Sequence, residues 1–178
     1  RDGLDVVSKW LISTRAAVLV MTFISAALAG LFAWRDGSFS FLPWVALTLG
    51  LILAHASNNI FNDYTDYVRG VDKDNYYRNI YGAQPVASGL MTKRQHLTYF
   101  AVTALVALAI GLYLIAYTGY STTTWTLLGL GAFFLLFYTW PLKGLAMGEI
   151  AVLIVWGPLM IGGGHYVLAH QWNWFVVL

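Results

Sequence analysis

The chain has 178 residues, of which 59% are hydrophobic and only 10% charged, with a formal net charge of +2 and no cysteine. Soluble domains carry about 25% charged residues, so this composition excludes an ordinary soluble fold and indicates an integral membrane protein. The lack of cysteine excludes disulfide, thiolate-zinc and cysteine-nucleophile chemistry, and so small a net charge argues against a nucleic-acid partner.

Apolar runs of about twenty residues recur, each long enough to cross a hydrocarbon core of roughly 30 Å as a helix. Residues 1–12 set Leu4, Val7, Trp10 and Leu11 at helical spacing among Asp2, Asp5 and Lys9. That pattern fits a short helix in the membrane interface, or equally an extension of the first span. Spans are expected over 13–34, 42–62, 97–116, 122–140 and 147–169, with another apolar run opening at Trp172. None shows the ten-residue alternation of a transmembrane β-strand. The expected fold class is therefore all-α, a multi-pass transmembrane helical bundle forming a single membrane domain over residues 1–178. The connectors 35–38 and 118–121 are turn-rich and carry no evident chemistry. The segment from about 63 to 96 holds most of the charge and several tyrosines, and a long loop with its own polar cluster is more often functional than filler. Gly162-Gly163-Gly164 in the fifth span is expected to permit close helix packing or a break beside a cavity. The sequence starts with Arg1 and stops inside the apolar run Phe175-Val176-Val177-Leu178, as expected of a partial chain.

With these spans, Arg1, Lys9, Arg15, Arg69, Lys73, Arg78, Lys93, Arg94 and Lys143 fall on one side of the membrane, and Arg35 on the other. The positive-inside rule makes the first side, with the N-terminus, cytoplasmic. Asp2, Asp5, Asp63, Asp66, Asp72, Asp74 and Glu149 lie there as well.

The second span runs directly into Asn58-Asn59-Ile60-Phe61-Asn62-Asp63-Tyr64-Thr65-Asp66. On a continuing helix Asn58, Asn62 and Asp66 stack along one face, with Asn59 and Asp63 on the adjoining stripe. Gly70 can turn the backbone so that Asp72 and Asp74 fold back towards them. Oxygen-only donors of this kind suit Mg²⁺, which favours one or two carboxylates plus substrate phosphate oxygens. Acids at a helix C-terminus oppose the helix dipole, so a site explains them better than solvation alone. Arg78, Lys93 and Arg94 could hold phosphate oxygens, although membrane topology by itself accounts for each cation. Tyr138-Thr139-Trp140-Pro141-Leu142-Lys143 ends the fourth span on the same edge. There Lys143 could bind diphosphate and Tyr138 could sit beside a developing cation, or the aromatics could simply belong to the interfacial belt. The histidines His55, His96, His165 and His170 show no metal-ligand spacing and read as packing or interface residues.

Together these residues resemble the UbiA superfamily of membrane prenyltransferases over most of the chain, from about Arg15 to Tyr166. Asn62-Asp63-Tyr64-Thr65-Asp66 is similar to that family's first Asn/Asp-rich motif. Tyr67 to Asp72, Gly148-Glu149-Ile150 and Trp156-Gly157-Pro158-Leu159-Met160 resemble its menaquinone branch. Pro85 to Leu90 resembles a family loop, although Gln84 stands where arginine is common, and Tyr138 to Lys143 resembles its tyrosine-lysine motif. The resemblance implies transfer of a polyprenyl group from polyprenyl diphosphate to an aromatic acid, with 1,4-dihydroxy-2-naphthoate the expected acceptor. Other acceptors within reach are 4-hydroxybenzoate, homogentisate and a chlorophyllide. It implies Mg²⁺ on Asn62, Asp63, Asp66 and Asp72, with Asp66, Tyr138 and Lys143 at the reaction. Asn58, Arg78, Lys93, Arg94 and Lys143 would lie along the diphosphate, and Arg15 is a candidate for the acceptor's carboxylate. The family has about nine helices and a second aspartate-rich motif after the fifth, expected beyond Leu178. The rival readings are a non-catalytic quinone- or lipid-binding subunit, within a larger assembly or a homo-oligomer, and a cation transporter using Asp63 and Asp66.

Overall fold

The computed structural model describes residues 3–71 and 84–177. Among these the secondary structure is helical. Helix α1 (Val6–Ser13) is capped by the Asp5 carboxylate, which accepts from the Ser8 backbone N–H at 2.6 Å. That bond holds the Asp5 carboxyl below its usual pKa. A 3₁₀ turn (Ala16–Val18), entered through Arg15 in the left-handed region, leads into α2 (Leu19–Arg35). Then follow α3 (Phe41–Val68), α4 (Lys93–Tyr117) and α5 (Thr122–Phe137). Past α5 the chain kinks within Tyr138–Leu142, where Trp140 is extended, and a 3₁₀ turn follows over Lys143–Leu145. Helix α6 (Gly148–Ile154) passes through a π-helical stretch (Val155–Gly162) into α7 (Gly163–Ala169), and α8 covers Trp174–Val177.

Five segments are long and apolar enough to cross a membrane: Ala16–Arg35, Phe41–Val68, Lys93–Tyr117, Thr122–Leu145 and Gly148–Ala169. They correspond to the five spans expected. The differences lie at their ends. The second helix runs on to Val68, carrying the whole Asn/Asp motif as helix, and the first is interrupted at Arg15. The apolar run at Trp172 becomes helical at Trp174. Side chains such as Leu42 and Leu153, each 73% exposed, point away from the bundle, where lipid rather than water is the natural neighbour.

Helix α3 packs along both α2 and α4, and the core gathers Ala33, Leu47, Leu114, Val167 and Leu168. Of the two roles expected for the three glycines, close packing is the one seen. A Cβ on Gly164 would lie 2.9 Å from the Ala29 Cβ and 3.1 Å from a Leu47 methyl, and one on Gly163 would lie 2.9 Å from a Leu127 methyl. Only hydrogen at these positions lets α7 approach α2, α3 and α5 so closely.

The connector at 35–38 has a structural part. Asp36 accepts from Arg35 Nε at 2.9 Å and from His165 Nε2 at 3.0 Å, tying the end of α2 to a buried residue of α7. Sequence separation of 129 residues hid the pair. The Arg35 hydrogen bond above all holds the Asp36 carboxyl below its usual pKa; burial opposes it, and the His165 hydrogen bond adds a lesser lowering. A depressed carboxylate pKa contributes stability above the unfolded-state value of about 3.9, lost as pH falls through the folded value. Thermal melts should show Asp36→Asn less stable than wild type at pH 7, with the gap closing as the pH falls below 4. An unchanged gap at pH 3 would contradict this.

Candidate active site

The polar end of α3 presents two rows of side chains, each stepping by four residues and each facing a different neighbour. His55, Asn59 and Asp63 turn towards the start of α2. His55 Nδ1 lies 2.7 Å from Thr22 Oγ1, Asn59 Nδ2 donates to the Thr14 carbonyl at 2.8 Å, and Asp63 is paired with Arg15. Asn58, Asn62 and Asp66 turn towards α5 and its irregular continuation. Asn58 Nδ2 donates to the Leu135 carbonyl at 2.9 Å, and Asn62 Oδ1 accepts from Thr139 Oγ1 at 2.8 Å. Asp66 Oδ2 accepts from Lys143 Nζ at 3.1 Å. A spacing of four puts successive members of a row one above another, so α3 lays a ladder of polar contacts along each seam.

The seam against α5 depends on how that helix ends. Pro141 has no N–H to continue an α-helix, and Trp140 leaves helical geometry at φ −148° and ψ 128°. The chain therefore abandons the α-helix after Phe137 and delivers Thr139 and Lys143 to the same side of α3. Thr139 is 6% exposed, and sequence reading missed it as a partner for Asn62 because nothing in its immediate neighbourhood marks it.

Asp63 and Asp66 are each only 3% exposed, whereas the side chains of their partners Arg15 and Lys143 are 35% and 42% exposed. Buried carboxylates demand a positive partner. The cations, by contrast, keep part of their surface open and can also meet an incoming anion. Among the site residues expected from sequence, the structure pairs Arg15 with Asp63 on one seam and sets Asn58, Asn62, Asp66 and Lys143 along the other. Tyr138 is partly buried beside the start of α6, where a Cβ on Gly148 would lie 3.8 Å from its hydroxyl. Lys93 and Arg94 are exposed in the first turn of α4, and Lys93 Nζ sits 5.1 Å above the Tyr67 ring, next to Asp66 in sequence. Neither forms an ion pair among the described residues. Cations at a helix N-terminus oppose the dipole, so helix stability does not explain them. Asp72 and Arg78 lie outside the described residues.

Among the described residues, no group of three or more acidic or histidine side chains is gathered as a metal cage. The donor chemistry nevertheless fits a hard cation. Asn62 and Asp66 stand one helical turn apart with oxygen donors, and Mg²⁺ commonly takes one or two carboxylates and completes its shell with water and phosphate oxygens.

Residues 23–178 match the model of the UbiA prenyltransferase family. The chain belongs to that family. The chain is also 30% identical, over 171 residues, to a 1,4-dihydroxy-2-naphthoate octaprenyltransferase of Escherichia coli (strain K12). That match covers 90% of this chain and 54% of the relative, so the chain spans about half the length of the curated protein it matches. No solved structure matches it.

Proposed function

We propose that this chain is part of a membrane prenyltransferase that moves a polyprenyl group from its diphosphate to an aromatic acceptor, with 1,4-dihydroxy-2-naphthoate the acceptor favoured by the E. coli relative. The observation that carries this reading is the Asn62–Asp66–Lys143 cluster at the end of an apolar helix, in a chain of the UbiA family. By the positive-inside rule, this end of the bundle and the N-terminus are cytoplasmic.

Lys143, held by Asp66 yet partly open, would grip a diphosphate oxygen at the membrane mouth. Lys93 and Arg94 at the rim would take further oxygens, and Arg15 would take the acceptor's carboxylate. Asn62 and Asp66, with Asp63 supporting, would hold Mg²⁺, which supplies charge neutralisation for the diphosphate when bound. As the C1–oxygen bond of the prenyl group breaks, its electrons leave with the diphosphate. The positive side chains aimed there stabilise the transition state more than the ground state. Tyr138 would face the allylic carbon while it is electron-poor. The ring carbon bearing the carboxylate then bonds to C1, and loss of CO₂ returns an electron pair to the ring, giving the prenylated naphthohydroquinone. Apolar helix walls keep water from capturing the allylic carbon first.

The test is prenyl transfer by the complete protein in nanodiscs, with Mg²⁺, a polyprenyl diphosphate and the hydroxynaphthoate. Prenylated product with release of CO₂ and diphosphate supports the reading, and folded protein inert towards all four acceptor classes overturns it in favour of a binding subunit. In the same assay, the Lys93→Ala/Arg94→Ala double variant should raise KM for the prenyl diphosphate about tenfold at unchanged melting temperature, as expected for lost charge-assisted contacts at an exposed rim. A fall in melting temperature with KM unchanged would assign those cations to structure instead.

A further inference from the structure

We propose that His55 is the contact for a ring hydroxyl of the aromatic acceptor, with Trp156 beside it as the apolar wall of the same subsite. The inference rests on the prenyl-transfer reading above and adds to it the place where the acceptor sits.

His55 lies within the membrane-spanning part of α3. Ionisable side chains at that depth are costly and generally serve a function. At about 1.5 Å of rise per residue, His55 stands roughly 10 Å deeper than Asn62 and 16 Å deeper than Asp66, at the inner end of the row that continues through Asn59 and Asp63. The imidazole is fixed on two sides. Thr22, fully buried on α2, lies 2.7 Å from Nδ1, and the Trp156 ring stands 6.3 Å away at 64°. Trp156 belongs to the π-helical stretch Val155–Gly162, and insertions of that kind inside helices are frequent at functional sites.

The other ring nitrogen decides the matter. His96 gives Nε2 to the Ile60 carbonyl and His165 gives Nε2 to Asp36, so these two buried histidines spend that atom on the protein. His55 is only partly buried, and its Nε2 has no hydrogen-bond partner among the described residues. It is also absent from the sealed polar atoms that lack one. A positioned imidazole with an open nitrogen, deep in an apolar bundle, needs a polar group to meet it there. Of the two substrates, the prenyl tail has none and the diphosphate belongs at the charged mouth, so the acceptor, through its phenolic hydroxyl, is the one that can supply it. With Nδ1–H donated to Thr22, the Nε2 lone pair accepts the hydroxyl proton in a hydrogen bond. That bond strengthens as the ring gives electrons to the allylic carbon and its hydroxyl becomes more acidic.

Two substitutions separate this role from a structural one in the complete protein. His55→Asn keeps an amide within reach of Thr22 but removes the outer polar atom, whereas His55→Gln restores a polar atom near the Nε2 position. His55→Asn should lower kcat/KM for the hydroxynaphthoate about tenfold with KM for the prenyl diphosphate unchanged, and His55→Gln should recover most of the loss. The reverse order, with asparagine near wild type and glutamine impaired, would make His55 a strut for Thr22 and overturn the inference, as would two silent variants. A measurement on wild type alone covers variants that fail to fold: O-methylation of the acceptor hydroxyls should weaken competitive inhibition about tenfold. Equal inhibition by free and methylated compounds refutes the contact. Wild-type protein that prenylates no acceptor refutes the parent reading, and this one with it, whereas active wild type with equal inhibition refutes this one alone.

Discussion

Lys143→Met is expected to lower kcat for prenyl transfer by about 10²–10³-fold, the usual cost of removing one preorganised group that meets charge developing in a transition state. The residue is singled out by its position, with Nζ at 3.1 Å from a buried carboxylate oxygen of Asp66 while 42% of the side chain stays open. Methionine keeps the apolar stem and loses the ammonium, so the bundle should still assemble. Asp66→Asn should be as damaging, since it removes both the anchor of Lys143 and a candidate metal donor. Because the two act as a unit, the double variant should be little worse than either single one. Single-turnover kinetics with saturating substrates would check this. Additive losses would mean that Lys143 and Asp66 contribute separately.

The second large effect concerns assembly. Gly164→Val should destabilise the protein by about 1–3 kcal/mol, the range for overpacking a filled interior. Its Cβ alone would sit 2.9 Å from the Ala29 Cβ, and two further methyls must then find room between α2 and α3. Thermal unfolding in detergent reads the loss directly. Gly129→Ala on α5 is the control. Nothing lies within 4 Å of the added carbon there, so the melting temperature should hold or rise slightly, because alanine favours helix. An equal loss at both positions would show that the close contact with Ala29 and Leu47 does not set the outcome.

The helices and half of the site were legible in the sequence because both depend on short-range periodicity. Hydropathy marks five spans, and a four-residue repeat places Asn58, Asn62 and Asp66 in line whatever surrounds them. The same periodicity puts His55 on the row of Asn59 and Asp63. What the sequence could not convey is which neighbour each row meets. Thr139 reaches Asn62 only because Pro141 and Trp140 end α5 in a kink, and Thr22 reaches His55 only through the way α2 lies on α3. The Asp36–His165 pair has no mark in the sequence for the same reason, since its partners are joined by packing rather than by any local pattern.

The two ladders on α3 make angular phase the quantity that this stretch must preserve. Six side chains from His55 to Asp66 find their partners on two different seams, all from a single uninterrupted helix. Each residue of an α-helix advances the direction of its side chain by about 100°. One residue added or deleted near Ile60 would therefore swing every later rung by that angle, sending Asp63 and Asp66 away from Arg15 and Lys143 together. Between His55 and Asp66 the residue count is itself a structural element, held as firmly as the identity of any side chain on it.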